Sequence, residues 1–502
     1  MRGVLPQALV GAASIALAAC SVGPRYRAPP VQTPLAFAEA PTYTPAPTVA
    51  PDWWTAFGDP ELDRLVTIAL TESPDIAIAA SRVRQARLGI ASARAALLPE
   101  VDATGNVTRI DFSKNAGIAQ LASLFGGSSS GSSSSGGIAL PGSGITTYAA
   151  GFDASWELDI FGATRRKIES ANASAEAQQW SARDAELSLV AEITNQYLQL
   201  RVLQIREQIA RGQIVRQQRS LQLISHTAQA GLTPQGDFVR QQTPLATTEA
   251  ALDPIMSDER IQMHALAVLA GREPASMIAE LSAPQALPSL LPILPPGLPS
   301  DLLRRRPDIR AAERQLAAAT ADIGVATADL YPKFNLTGVG ELISASLGNL
   351  INTNSIQTTG TAAVSFPLLD FGRVRTQIRV KRETAEQAYQ NYQKVVLGAL
   401  RDVEDALTRI RQEQQRNATL KSGVSNAEHS LAIVQARYQS GLSDLSPVLD
   451  AQASLLQARD ALASSDGALR TDIVSLHKAL GGGWEAMPPL PTALAPRPAY
   501  IR

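Results

Sequence analysis

Four histidines, one cysteine and five methionines are all that this 502-residue chain offers for nucleophilic or soft-metal chemistry. The histidines, His226, His264, His429 and His477, stand at unrelated spacings. A zinc or protease centre needs ligands about one helical turn apart, as in an HExxH pair, and these are not so placed. The methionines do not cluster, so no thioether array for Cu(I) is suggested. Gly127-Ser128-Ser129-Ser130-Gly131 matches the nucleophile-elbow pattern, but it sits in a Gly/Ser run with no strand before it and no helix after it. No catalytic residue, metal or cofactor is therefore expected. The histidines read as surface or seam residues on helices. Arg304-Arg305-Arg306 could hold an anion, although a solvated helix start before Pro307 accounts for it more simply. Two opposite charges, Asp450 and Arg240, gain meaning only from the organisation of the whole chain.

That organisation is a duplication. Pro74, Asp75, Ile90, Ala93, Ala95, Leu97 and Pro99 match Pro307, Asp308, Ile323, Ala326, Ala328, Leu330 and Pro332 at a constant offset of 233. Past a Ser/Gly-rich stretch the match resumes at an offset of 210, through Phe161-Gly162 and Phe371-Gly372, Gly231-Leu232 and Gly441-Leu442, and Gly271 and Gly481. Two copies of one structural unit are implied. Proline-rich residues 274–299 link a first repeat at 60–273 to a second at 300–484, which is followed by a tail at 485–502.

Each repeat contains two kinds of periodicity. No proline occurs between Pro141 and Pro234 or between Pro367 and Pro447, so each gap can hold one helix of roughly 100 Å. Leu187, Val190, Ile193, Tyr197 and Leu200 step by three and four, as do Val396, Ala399, Val403, Ala406 and Ile410. After Gly441-Leu442 the spacing is sevenfold, through Val448, Leu455, Leu462, Leu469 and Leu476, which implies coiled-coil packing. The corresponding positions are Phe238, Leu245, Leu252, Glu259 and Leu266, with Glu259 out of pattern. A further helix is expected from about Pro60 to Leu98.

Between Pro99 and Phe161, and between Pro332 and Phe371, the period falls to two. Tyr148, Phe152, Ala154, Trp156 and Leu158 alternate with Thr147, Gly151, Asp153, Ser155 and Glu157, and Ala362, Val364 and Phe366 alternate with Thr361, Ala363 and Ser365. Such strands, apolar on one face, are close to the length of a tilted membrane strand. Two per repeat make four, which cannot close a barrel, and lipid does not tolerate an open edge. Several copies must therefore associate. The Gly/Ser run at 126–137 reads as a flexible external loop.

The N-terminus reads as an address. Arg2 precedes a short apolar run, Leu9–Ala19, and residues 1–19 read as a signal peptide. Leu17-Ala18-Ala19-Cys20 resembles the lipobox of bacterial lipoproteins, which implies acylation of Cys20 and, with Ser21 next to it, an outer membrane destination. Residues 20–59, rich in proline, read as a tether. A formal net charge of −1 leaves no electrostatic footprint for nucleic acid.

Taken in order, Cys20-Ser21-Val22-Gly23-Pro24, Trp53-Trp54, residues 299–313, residues 330–338, Phe371-Gly372-Arg373, residues 436–442, residues 448–452 and residues 480–484 resemble one family. It is that of the outer membrane factors of tripartite efflux pumps, specifically the NodT-type efflux lipoproteins. The resemblance implies a mixed α and membrane β fold, in which duplicated strand-pair and long-helix units form a homotrimer. A twelve-strand outer membrane β-barrel would continue into a twelve-helix periplasmic α-barrel. It implies outer membrane lipid, a periplasmic adaptor (membrane fusion) protein and an inner-membrane RND-type pump as partners, and a passive exit duct for small solutes as the function. A duct for protein export and a structural envelope lipoprotein without a channel are the alternatives.

The Gly-Leu turns lie at the ends of the long helices away from the strands. Asp450 is nine residues beyond Gly441 and Arg240 nine beyond Gly231, so the repeat places them at one level. In the resembled family the matching aspartate lines the periplasmic constriction. Asp450 and Arg240 are accordingly the expected gate, with Asp237, Asp444 and Tyr438 as further candidates.

Overall fold

The computed structural model describes residues 21–30, 33–39, 52–111, 144–230, 234–291 and 299–484. Cys20, the Gly/Ser run at 126–137 and Gly231-Leu232 lie outside these residues. The chain forms two compact units that cut across the repeats, because each unit draws on both copies. One comprises residues 1–27, 88–172 and 317–386, the other 28–87, 173–316 and 387–502. Among the described residues no helix is long and apolar enough to cross a membrane.

The first unit contains the sheet. Strands β1 (Glu100–Asp111), β2 (Gly144–Leu158), β3 (Lys333–Ser344) and β4 (Ile356–Ser365) form one antiparallel meander in chain order. In the first hairpin Val101 faces Ala154 and Ala103 faces Phe152, so the apolar residues share a face. On the other face Asp102 lies directly opposite Asp153. Like charges in that position repel, and they are tolerable only where water reaches them. Gly151 is required by close approach, since a Cβ there would lie 2.5 Å from the Glu341 backbone on β3. The outer strands β1 and β4 are exposed along their whole length.

The segment after Cys20 is built into this unit. Val22 N–H donates to the Phe161 carbonyl at 3.2 Å, and Arg166 donates to the carbonyls of Val22 and Gly23 at 3.1 and 3.3 Å. Gly23, at φ 91°, passes so near Gly324 that a Cβ would lie 2.5 Å from its Cα. Within the stretch expected to be an extended tether, residues 21–23 are therefore seated on the protein, because a buried arginine and two glycines accommodate their backbone.

The expected helix from Pro60 to Leu98 is two helices, α1 (Pro60–Glu72) and α2 (Pro74–Ala95). Ser73 is extended at ψ 128°, the conformation that a following proline enforces. Asp59 caps α1, its Oδ1 accepting from the amides of Glu61 and Leu62 at 3.0 and 3.3 Å.

The long helices are α3 (Ala163–Gln229) and, after α5 (Pro307–Ala328), α6 (Arg373–Gln439). Each has 67 residues, or about 100 Å at 1.5 Å per residue. Every residue of both apolar series is buried, and they join Trp53, Phe57, Leu62 and Leu65 in the core of the second unit. Trp53 is 1% exposed there. Removing an indole so enclosed costs about 3–5 kcal/mol.

Two shorter helices follow the long ones, α4 (Gln235–Leu269) and α7 (Ser446–Ala479). Helix α4 runs through Pro244 and Pro254. Each proline lacks the N–H that would reach the carbonyl four residues back, at Arg240 and Ala250. Shifted by 210, the corresponding residues of α7 are Ser454 and Ser464. Their hydroxyls donate to the carbonyls of Asp450 and Asp460 at 2.8 and 2.9 Å. Both repeats thus perturb the backbone at the same two levels by different means.

Candidate functional site

The residues expected at a gate all belong to the second unit. Ile224 near the end of α3 is buried with Leu445 and Val448 at the start of α7, and Phe238 of α4, Leu431, Val434 and Tyr438 of α6, and Leu449 pack around them. This cluster fixes four helix ends against one another. It leaves Asp450, Arg240 and Asp444 exposed, with Asp237 and Tyr438 half-buried. Arg240 Nη1 lies 3.4 Å from Ser446 Oγ. Ser446 is one helical turn before Asp450, so the guanidinium sits near the carboxylate's level. Among the described residues no ion pair joins the two. Burial, and secondarily the charge of Asp237, raises the Tyr438 phenol above its usual range. Asp237, Tyr438 and Arg240 are therefore gathered around the base of α7, and Asp444 stands just before it.

Glu259, out of pattern in the heptad series, is buried rather than displaced to solvent. Gln204 Nε2 donates to its Oε1 at 3.3 Å and to the Leu281 carbonyl at 2.8 Å. Burial pushes the Glu259 carboxyl up. Beside it runs a buried polar chain that sequence analysis did not find. Arg201, fully buried, donates to Gln204 at 2.6 Å, to the Ala283 carbonyl at 2.9 Å and to Tyr197 Oη at 2.9 Å. Tyr197 in turn donates to Asp59 at 2.5 Å. The sequence signal was present, since Tyr197, Arg201 and Gln204 continue the apolar series at helical spacing. A buried guanidinium is tolerated only with partners of this kind.

A cavity of about 640 Å³ opens between α3, α4 and α7 and is lined by Val202, Arg206, Asp258, Gly467 and Asp472 among others. Arg206 closes on Asp460 at 2.6 Å. Burial pushes the Asp472 carboxyl up to about 6, against the pull of Arg409. The lining holds no nucleophile paired with a base. Among the described residues no group of three or more His, Cys, Asp or Glu could hold a metal ion.

The structure narrows one sequence expectation and corrects another. Of the two places expected for His477, the surface is ruled out: it is 3% exposed and stacks on Trp53 with ring centroids 5.2 Å apart. Its spacing follows the buried side of α7, next to Leu476. Arg306 does not belong to a solvated helix start. It donates to Asp308 at 2.7 Å, to Asp402 of α6 at 3.3 Å and to the Ala479 carbonyl at 3.1 Å. It ties α5, α6 and α7 together, and its charge is already met by two carboxylates.

Comparison with known proteins gives a consistent result. A sequence model of the family described as "Outer membrane efflux protein" matches residues 65–272 and 298–482. Nodulation protein T of Rhizobium leguminosarum bv. viciae is 29% identical over 484 residues, covering 96% of this chain and 94% of its own. The pyoverdine export outer membrane protein OpmQ of Pseudomonas putida is 33% identical, with 95% and 97% covered. The solved outer-membrane channel OprN superposes with a TM-score of 0.82 at 31% identity, covering 93% of this chain and 100% of that one.

Proposed function

This chain belongs to the outer membrane efflux protein family, and from that premise we propose that it is the exit duct of a tripartite efflux pump. In this reading three copies form the duct. An inner-membrane RND-type pump and a periplasmic adaptor deliver small solutes to it, and it conducts them passively to the exterior. Cys20, once acylated, adds a lipid anchor to the barrel. The observation that carries the reading is the combination within one chain of a four-stranded sheet with two open edges and two helices of 67 residues. The sheet cannot stand alone in lipid, and the helices have the reach of a periplasmic tunnel.

The inner end of the tunnel is assigned to Asp450 and Arg240, with Asp237, Asp444 and Tyr438 around them. Three Asp450 carboxylates brought together repel, which opposes closure unless cations lie at the same level. Arg240, held beside Ser446, can supply them as charge-assisted contacts. Purified protein in planar bilayers tests the reading. Wild type should show low, stepwise conductance, and Asp450→Ala or Arg240→Ala should raise it. Exchanging the two charges should partly restore closure. Equal conductance of all variants moves the gate elsewhere, and absence of conductance from every one of them favours the structural lipoprotein.

A further inference from the structure

The cavity between α3, α4 and α7 has an apolar wall and a polar one. Val202 and Leu203 of α3, Ile261 of α4 and Ala468 of α7 form the first. Ile261 is left 57% exposed. The cavity opens beside a close approach of α7 to α3, where a Cβ on Gly467 would collide with Val202. A glycine inside a helix costs up to about 1 kcal/mol against alanine, and this approach accounts for it. At about 640 Å³ the space falls within the range of sites for small organic ligands, about 300–1,000 Å³.

The polar wall is rich in acceptors and short of donors. Arg206 is spent on Asp460, with Nε and Nη2 at 2.6 and 3.2 Å from its carboxylate oxygens. The hydroxyls of Ser464 and Thr471 donate to carbonyls of their own helix, those of Asp460 and Gly467. Gln262 Nε2 donates to Gln199 Oε1 at 3.3 Å, while the Gln262 carbonyl oxygen is enclosed and meets no donor among the described residues. Among the described residues no hydrogen bond or ion pair reaches the carboxylate of Asp258 or that of Asp472 either. Burial pushes the Asp472 carboxyl up to about 6 although Arg409 of α6 pulls the other way. A half-buried carboxylate with no donor is costly in its charged form.

We propose that this cavity binds a primary amine with an apolar body, the ammonium on Asp472 and the body against Val202, Leu203 and Ile261. An ammonium brings three donors and no acceptor, which is what the polar wall lacks. Asp258 and the Gln262 carbonyl oxygen are the further acceptors within the lining. A carboxylate ligand would meet two carboxylates and an arginine whose charge is already taken. The site lies within one copy of the chain and requires neither a second copy nor a duct.

Purified full-length protein held in amphipol tests it by titration with dansylcadaverine, a primary amine on a fluorescent apolar body. N-pentyl dansylamide has the same body without the charge. At pH 7.5 wild type should bind the amine about tenfold more tightly than the neutral dye, as expected of a hydrogen bond to a charged group. Asp472→Asn should remove that advantage and leave binding of the neutral dye unchanged, whereas Ile261→Ser should weaken both dyes alike. The charged groups around Asp472 are Arg206 from α3, Asp258 from α4, and Arg409 and Glu413 from α6. At pH 5, where Asp472 holds its proton, wild type should resemble Asp472→Asn, and that variant should show no such change with pH. Equal affinity of wild type for the two dyes, or binding of neither, overturns the proposal without reference to any variant. An advantage for the amine that survives Asp472→Asn overturns the assignment of the ammonium to that residue. Bilayer conductance, which tests the duct reading, is untouched by all of these outcomes.

Discussion

At the scale of single residues, buried polar groups separate what periodicity reveals from what it hides. The spacing that places Leu187, Val190 and Ile193 in the core places Arg201 and Gln204 there as well, although an apolar pattern does not mark polar residues as core. Glu259 broke the heptad series for the same reason and is buried against Gln204. A partner that lies 55 residues away in sequence cannot be read from a pattern that extends over one or two turns. The gate candidates are legible in the opposite sense. The repeat brings Asp450 and Arg240 to one level, but their charges settle no contact, and Arg240 reaches Ser446. Asp472 allows a direct test of burial at this scale. Burial raises its carboxyl to about 6, so the folded state holds its proton more tightly than the unfolded chain. A raised pKa contributes stability fully below about pH 4, the ordinary aspartate range, and this is lost as pH rises through about 6. At pH 7.5 the ionised group is therefore a burden. Asp472→Asn should raise the melting temperature at pH 7.5, and the gain should shrink to nothing near pH 4. A gain of the same size at both pH values would rule out desolvation of the charge as its cause.

At the scale of elements, proline and glycine positions gave the lengths of the long helices, because a proline-free stretch of that kind has few other uses. The same reasoning missed the break at Ser73, where Pro74 was counted as the interior of a helix instead of the start of one. It also passed over Pro244 and Pro254, through which α4 continues. Tertiary packing overrides the local penalty, as the buried Gln241 and Thr248 on either side of Pro244 indicate. The equivalent residue in α7 is Ser454, which keeps its N–H. Pro244→Ser should therefore return a donor to the Arg240 carbonyl and remove up to about 3 kcal/mol of helix-breaking cost. Hydrogen exchange over residues 238–248 should slow in the variant. Unchanged exchange there would show that α4 is already held by its neighbours and that the proline is energetically silent.

At the scale of the whole molecule, the sequence carries the architecture because the fold is written twice, and each copy corrects the reading of the other. The strands illustrate this. A two-residue period within each pair was enough to anticipate four strands, while their order and register came from the structure. The connection between β3 and β4 shows how little is needed to close such a pair. It spans residues 345–355, with short helical turns at Leu347–Asn349 and Thr353–Ser355 and a 2.7 Å bond from Ser355 Oγ to the Asn349 carbonyl. The β1–β2 connection, residues 112–143, is far longer, yet the two hairpins have the same register under the repeat offsets. Register is therefore set by the alternation of the strands, not by the length of what joins them. Deleting residues 126–137 shortens that connection from 32 residues to 20 and changes its closure entropy by only about 0.4 kcal/mol. Oligomer yield and bilayer conductance should both stay close to wild type after the deletion. Loss of the oligomer would mean that the Gly/Ser run packs within the assembly, and a conductance change in an intact oligomer would place it across the outer mouth of the duct.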